Sequence, residues 1–169
     1  MKNQQFSDSY EELDYNLIVD FNSVLKLNDL GRCPYQHHTD ASGTTTDGRE
    51  CGIEIKRRNQ ALLDNLTISG KTYTASTIYI EQHKMADLLL DYIYDRKEPL
   101  YINFLENDTV IVFNLTRLSC KPNKTCKKIW SELYQGFELA KRLELKLEDA
   151  WIYRKIDGSY KIIHKPSRN

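Results

Sequence analysis

The segment HHTDASGTTTDGRECGIEIKRR, residues 37–58, constrains the fold of this chain more than any other. At its centre, Thr46-Asp47-Gly48 is a turn signal between two strand-like stretches. Gly48 is free to take the left-handed conformation that closes a three-residue hairpin loop. The pattern predicts strands over residues 36–45 and 49–56. Such a turn pairs Thr45 with Arg49, and the antiparallel register then carries the pairing back until Asp40 lies opposite Glu54. Side chains alternate along a strand, so Glu54 and Lys56 share one face while Ile53 and Ile55 share the other, toward a core.

Cross-strand partners have Cβ atoms about 4.5–5.5 Å apart. Two carboxylates that close repel and raise one another's pKa unless a cation joins them. A divalent ion held by Asp40 and Glu54 relieves the repulsion, since Mg²⁺ accepts one or two carboxylates together with waters and phosphate oxygens. Lys56, on the same face, is placed to orient or deprotonate a water and to offset charge on a phosphorane. The three groups suit metal-assisted phosphodiester cleavage. Asp47 is the other upstream acid, but the turn needs it. A second acid-x-Lys triplet, Glu144-Leu145-Lys146, falls in or at the end of an expected helix and is assigned no chemistry. The plain alternative for residues 54–56 is a charged strand facing solvent.

The remaining segments predict alternating elements. SDSYEELDYNLIVDFNSVLKLNDLG reads as a helix with Ser7 or Ser9 as N-cap, an apolar stripe of Leu13, Leu17, Val24 and Leu27, and Gly31 as the stop. TYTASTIYIE, residues 72–81, reads as one strand, and EQHKMADLLLDYIYDRK as a helix ending before Pro99. PLYINFLENDTVIVFNL is a hairpin around Glu106-Asn107-Asp108. CKKIWSELYQGFELAKRL, residues 126–143, reads as a helix weakened at Gly136, and the chain closes on a hairpin around Asp157-Gly158. The expected fold class is α/β: a mixed central sheet flanked by helices, plus a C-terminal helix and hairpin, in a single domain over residues 1–169.

Composition excludes several classes. No apolar run approaches the roughly 18 residues that span a bilayer, and the polar, acidic N-terminal segment is no secretory signal, so a cytoplasmic protein without a membrane partner is expected. Cys33, Cys51, Cys120 and Cys126 are then expected to be thiols. Cys33, His37, His38 and Cys51 could be drawn together on paper, but their spacing matches no strong zinc signature. The 24 basic and 24 acidic residues balance, which argues against a general coat for nucleic acid. The distribution is uneven. Residues 1–30 hold two Lys against six Asp or Glu, a net of −4, and residues 121–169 hold twelve Lys or Arg against six acids, a net of +6. A local basic surface of that kind can hold phosphates.

An acid on one strand, a turn, then acid-x-Lys on the next strand resembles the PD-(D/E)XK nuclease superfamily, here through Asp40 and Glu54-Ile55-Lys56. Thr39 stands where that pattern has Pro. The resemblance implies a restriction-endonuclease-like αβββαβ core through about residue 115. It also implies Mg²⁺ or Mn²⁺ bound by Asp40 and Glu54, and a hydrolytic water assisted by Lys56. An extra metal contact from the first helix would fall to Glu11, Glu12 or Asp14. A polar group at the start of the next helix would fall to Glu81, Gln82 or Lys84, with Gln82 or Lys84 near the phosphate. Arg57 and Arg58, together with KPNKTCKK at 121–128, are candidate contacts to the flanking backbone of a DNA partner.

The expected function is therefore a magnesium-dependent deoxyribonuclease in repair, recombination or a phage or mobile-element role. Cutting both strands of a duplex would require a homodimer. The alternatives are a nucleic-acid-binding or protein-interaction module that keeps the fold without catalysis.

Overall fold

The computed structural model describes residues 2–34, 37–58, 64–68, 71–74, 78–131 and 136–166. The chain opens with helix α1 (Lys2–Leu25). Its buried stripe is Ile18 and Phe21, both without exposure, with Leu17 and Val24 partly covered. Leu13 belongs to the expected stripe but is half exposed. Ser7 and Ser9 lie inside the helix and so do not cap it. The stop also comes earlier than Gly31. Lys26 turns left-handed at φ 54°, and the Asn22 side chain closes the end by donating to the Leu27 carbonyl at 3.0 Å and accepting the Leu27 N–H at 2.9 Å. Gly31 instead lies in strand β1 (Asn28–Arg32).

The predicted hairpin follows as β2 (Ala41–Thr44) and β3 (Glu50–Arg58). Its register is the one the turn dictates: Ala41 faces Ile53, Gly43 faces Cys51 and Thr44 faces Glu50. Gly48 sits at φ 84°, and the Thr45 N–H donates to the Arg49 carbonyl at 2.8 Å. After a small ribbon, β4 (Asp64–Ile68) and β5 (Lys71–Thr74), come strand β6 (Ile78–Glu81) and helix α2 (Gln82–Asp95). The strand expected over residues 72–81 is therefore divided between β5 and β6, which belong to different sheets; residues 75–77 lie outside the described residues. Helix α2 ends at Arg96, which is left-handed at φ 61°, before Pro99, as the sequence required.

The second half is β-rich: β7 (Glu98–Leu105), β8 (Thr109–Asn114), β9 (Asn123–Ser131), β10 (Gly136–Leu145), β11 (Trp151–Ile156) and β12 (Ser159–His164). The expected helix over residues 126–143 is overturned, because those residues form most of the antiparallel β9–β10 ribbon. Phe137, Leu139, Leu143 and Leu145 recur at even steps, so as a strand they fall on one face. Pairing of Arg142–Leu145 with β6 then buries Leu143 and Leu145. The other expected hairpins, β7–β8 and β11–β12, are present.

The architecture is mixed α/β. A seven-stranded sheet runs in the order β1-β2-β3-β7-β8-β11-β12, antiparallel throughout except that β3 and β7 are parallel. Helix α2 lies in the connection between those two. Alternation divides the sheet's side chains between two cores. Ile53, Ile55, Ile102, Phe104, Val110 and Val112 pack with α1 on one face. Tyr101, Leu105, Ile111 and Phe113 pack on the other with Met85 and Leu88 of α2 and with Leu143 and Leu145 of β10. No helix among the described residues is long and apolar enough to cross a membrane.

Candidate active site

The β2–β3 pairing creates the site by stopping early. Asp40, one residue before β2, still donates its N–H to the Ile53 carbonyl at 2.9 Å. The next amide of β3 on that edge belongs to Ile55, and it has no β2 residue opposite. The Asp40 carboxylate takes its place, with Oδ2 accepting the Ile55 N–H at 2.6 Å. Asp40 is thereby fixed against the strand that carries Glu54. In an extended strand the amide and carbonyl of one residue point to the same edge, so the Ile55 carbonyl also faces this gap.

Above the gap is a hollow of about 390 Å³ whose lining includes Asp40, Glu54, Lys56, Lys84, His37 and Asp14. Glu54 is only 7% exposed because it lies on the face of β3 turned toward α2, beside Tyr101 of β7. Burial pushes its pKa up to about 7, and the neighbouring charge of Asp40 adds to the rise, while Lys84 and Lys56 pull the other way. Lys84, from the first turns of α2, holds its ammonium 3.1 Å from Glu54 Oε2 and 3.5 Å from the His38 carbonyl. Burial works to lower the Lys84 pKa, but the charge and hydrogen bond of Glu54 outweigh it and leave the group raised. Asp40, Glu54 and two ammonium groups therefore converge on one hollow, with Asp14 a third acid in its lining and Glu54 the most deeply placed of the set.

Not every candidate from the sequence joins them. Arg57 reaches toward α1, its Nε 3.5 Å from Asp14 Oδ1, and both residues line the rim. Arg58 turns inward. Its guanidinium donates to Asn103 Oδ1 at 2.7 Å, to the Tyr79 carbonyl at 2.6 Å and to the Tyr101 hydroxyl at 2.7 Å. This makes Arg58 a strut between β3, β6 and β7, and it also lines the small hollow that holds Glu54, Lys56 and Lys84 on its other sides. Gln82 lines a separate hollow, between the start of α2 and β10.

Other residues join the site without having been singled out for it. Arg142 of β10 borders a small adjoining hollow together with Glu54, Lys56 and Lys84. The helix-favouring residues around it conceal it in the sequence, although the even spacing of apolar residues in FELAKRLEL is a strand signal. His37 and Thr39 precede Asp40 and line the main hollow, with His37 Nδ1 2.9 Å from Thr39 Oγ1. His38 stacks on His37 at 4.3 Å between ring centroids and shares its Nε2 with both oxygens of Asp91, at 2.8 and 2.7 Å. Cys33 lies 3.4 Å from Thr39 Oγ1, whereas Cys51 is buried in the α1-side core. Among the described residues no three His, Cys, Asp or Glu side chains gather in a ready-made metal cluster. The candidate donor set is therefore the pair Asp40 and Glu54.

No protein-family model matches the sequence. A search of curated proteins likewise finds no match.

Proposed function

We propose that the protein is a metal-dependent nuclease of the PD-(D/E)XK type that hydrolyses phosphodiester bonds in DNA. The observation that carries this reading is the buried Glu54, raised to about 7, beside Asp40 in a hollow that also receives Lys56 and Lys84. The order α1, β1, β2, β3, α2, β7, with β3 parallel to β7, supports a restriction-endonuclease-like core into which the β4–β5 ribbon and β6 are inserted before α2.

The donor set fits Mg²⁺ or Mn²⁺. Two carboxylates are hard oxygen ligands, and the remaining positions of such an ion are commonly filled by water and phosphate oxygens. Asp40 and Glu54 would hold the ion, which would supply Lewis-acid charge at the scissile phosphate. The chain's own residues do the rest. Lys56 orients the attacking water and offsets charge on the phosphorane. Lys84 neutralises Glu54 in the metal-free protein and is near enough to meet a phosphate oxygen. The Ile55 amide locks Asp40 in place before any substrate arrives.

The Lys84–Glu54 ion pair also favours a second reading, in which Lys84 neutralises Glu54 permanently and the hollow binds nucleic acid without cutting it. Plasmid and oligonucleotide cleavage with Mg²⁺, Mn²⁺ or EDTA separates the two. The nuclease reading expects metal-dependent cutting that is abolished in Glu54→Gln and reduced about a hundredfold or more in Lys56→Ala, the usual scale for losing a group that assists proton transfer. Binding without cutting in every metal would overturn it in favour of the second.

A further inference from the structure

Beyond Arg142 the β10 strand no longer pairs with β6, and among the described residues, residues 136–141 pair as a strand with β9 only. This overhang is the outer part of the ribbon. At about 3.4 Å per residue its six residues extend roughly 20 Å. Its two faces differ. Stepping outward by twos from the buried Leu143, one face carries Lys141, Leu139 and Phe137, with Lys128 paired opposite Leu139 and Lys124 opposite Leu143. Leu139 and Phe137 are each 64% exposed, and the three lysines are exposed as well. Lys128 sets its ammonium 5.1 Å from the Phe137 ring centroid. Lysines alone are a common guard on an edge strand, because they discourage pairing with another chain. Two large exposed apolar side chains on the same face are what such a guard would avoid.

The ribbon is also continuous with the site. The hollow holding Asp40 and Glu54 shares Glu54, Lys56 and Lys84 with the small hollow that Arg142 borders. That hollow in turn shares Glu81 with a third, of about 450 Å³, between α2 and the Leu139–Lys141 stretch of β10. A path lined with side chains thus leads from the carboxylate pair to the foot of the ribbon.

We propose that the β9–β10 ribbon is a single-strand-binding arm, with Phe137 and Leu139 contacting unpaired bases while Lys124, Lys128 and Lys141 hold the backbone of a strand leaving the Asp40–Glu54 hollow. Alternation of an aromatic platform with cations is the chemistry that retains single strands without regard to sequence. A stacked duplex shows its bases as groove edges, whereas an unpaired strand exposes the base faces on which an aromatic ring stacks. The direction of the strand rests on the nuclease reading, and the arm's affinity does not.

The test is fluorescence anisotropy in EDTA with labelled oligo(dT), the corresponding oligo(U) and a blunt hairpin duplex, so that binding is read without cutting. Tighter binding of either single strand than of the duplex is expected, the two single-strand probes distinguishing DNA from RNA. Phe137→Ala should weaken single-strand binding about tenfold. The double variant Lys128→Ala/Lys141→Ala should reduce the slope of log K against log salt by about 1.4, the loss of two phosphate contacts on a single strand. Lys161→Ala, an exposed lysine on β12, serves as the control for general charge. The arm is overturned if the duplex binds as tightly, if the ribbon variants bind like the wild type, or if Lys161→Ala weakens binding equally. A concentration-dependent dimer that Phe137→Ala disperses would assign the patch to a second copy of the chain and overturn it as well. A protein that binds through the ribbon yet cuts nothing with Mg²⁺ keeps the arm and loses the hydrolytic site. One that cuts but ignores the ribbon substitutions keeps the site and loses the arm.

Discussion

A carboxylate buried beside a second carboxylate has a thermodynamic signature that can be measured without substrate. Glu54 has a pKa of about 7 in the folded chain against an ordinary 4.5, so the folded state binds its proton more tightly than the unfolded state does. The stability this contributes is complete below about pH 4.5 and is lost as pH rises through about 7. The full difference amounts to about 3 kcal/mol at most. Glu54→Gln keeps the neutral form at every pH. At about pH 5 wild type and variant are matched, since each then holds Lys84 beside an uncharged partner. At about pH 8 only the wild type carries the buried charge. Thermal unfolding in EDTA should therefore show the Tm of Glu54→Gln rising relative to wild type between pH 5 and pH 8. A difference that does not change with pH would contradict the burial of this charge.

Asp40 has two duties that substitution can separate. Its Oδ2 accepts the Ile55 N–H, and its negative charge faces Glu54. Asp40→Ala removes both, leaving a strand amide without its partner, and should cost about 1–3 kcal/mol in stability together with all cleavage. Asp40→Asn keeps an oxygen for the amide but loses the charge. It should unfold close to wild type in denaturant while failing to cleave. Equal loss of stability in both variants would mean that the charge, and not the hydrogen bond, anchors residue 40.

At the scale of elements, the parts of the fold legible in the sequence are those set by neighbours along the chain. The Asp47-Gly48 turn sets the β2–β3 register from Thr44 back to Ala41, because a hairpin needs only its loop to define its pairing. The expected pairing of Asp40 with Glu54 does not follow from it: Asp40 leaves the ladder, bonding the Ile53 carbonyl through its N–H and the Ile55 N–H through its carboxylate. The β9–β10 ribbon was not legible in the same way. Glu, Leu, Lys and Ala between residues 126 and 143 favour a helix locally, and the strand wins through the continuous antiparallel β9–β10 pairing, to which β6 adds only at Arg142–Leu145. Lys84 was readable as a polar group at a helix start. Its contact with Glu54 depends on α2 crossing back over β3, which no local pattern encodes. Arg58 looked like a surface cation because its three acceptors come from β6 and β7.

The end of α2 yields a prediction at the same scale. Arg96 holds φ 61° at an exposed C-terminal position, where its N–H meets the Tyr92 carbonyl at 3.1 Å. A left-handed conformation costs a side-chain-bearing residue about 1–2 kcal/mol, and glycine much less. Glycine's greater freedom in the unfolded chain takes back part of that gain. Arg96→Gly should therefore stabilise the protein by about 0.5–1 kcal/mol in urea unfolding, with cleavage unaffected. A loss of stability would show that the Arg96 side chain contributes more than its backbone strain removes.

The described residues place one carboxylate pair in the main hollow, and under the proposed nuclease reading that determines how a circular duplex should be cut. If the chain hydrolyses DNA and its ribbon prefers unpaired bases, a supercoiled plasmid is a substrate because negative superhelical tension opens short single-stranded tracts. The first cut releases that tension, and the tracts close. The nicked circle is then a poorer substrate than the molecule it came from. Supercoiled plasmid with Mg²⁺ should therefore pass to open circles that accumulate, with linear DNA appearing only slowly, and plasmid relaxed beforehand should be cut much more slowly than supercoiled plasmid. Gel analysis over time distinguishes this from paired action. Two copies assembled with opposed hollows would cut both strands in one encounter, giving linear DNA from the start and a steep dependence on protein concentration. That second pattern would mean that the functional unit is a dimer reading duplex DNA, with the arm serving a purpose other than single-strand capture.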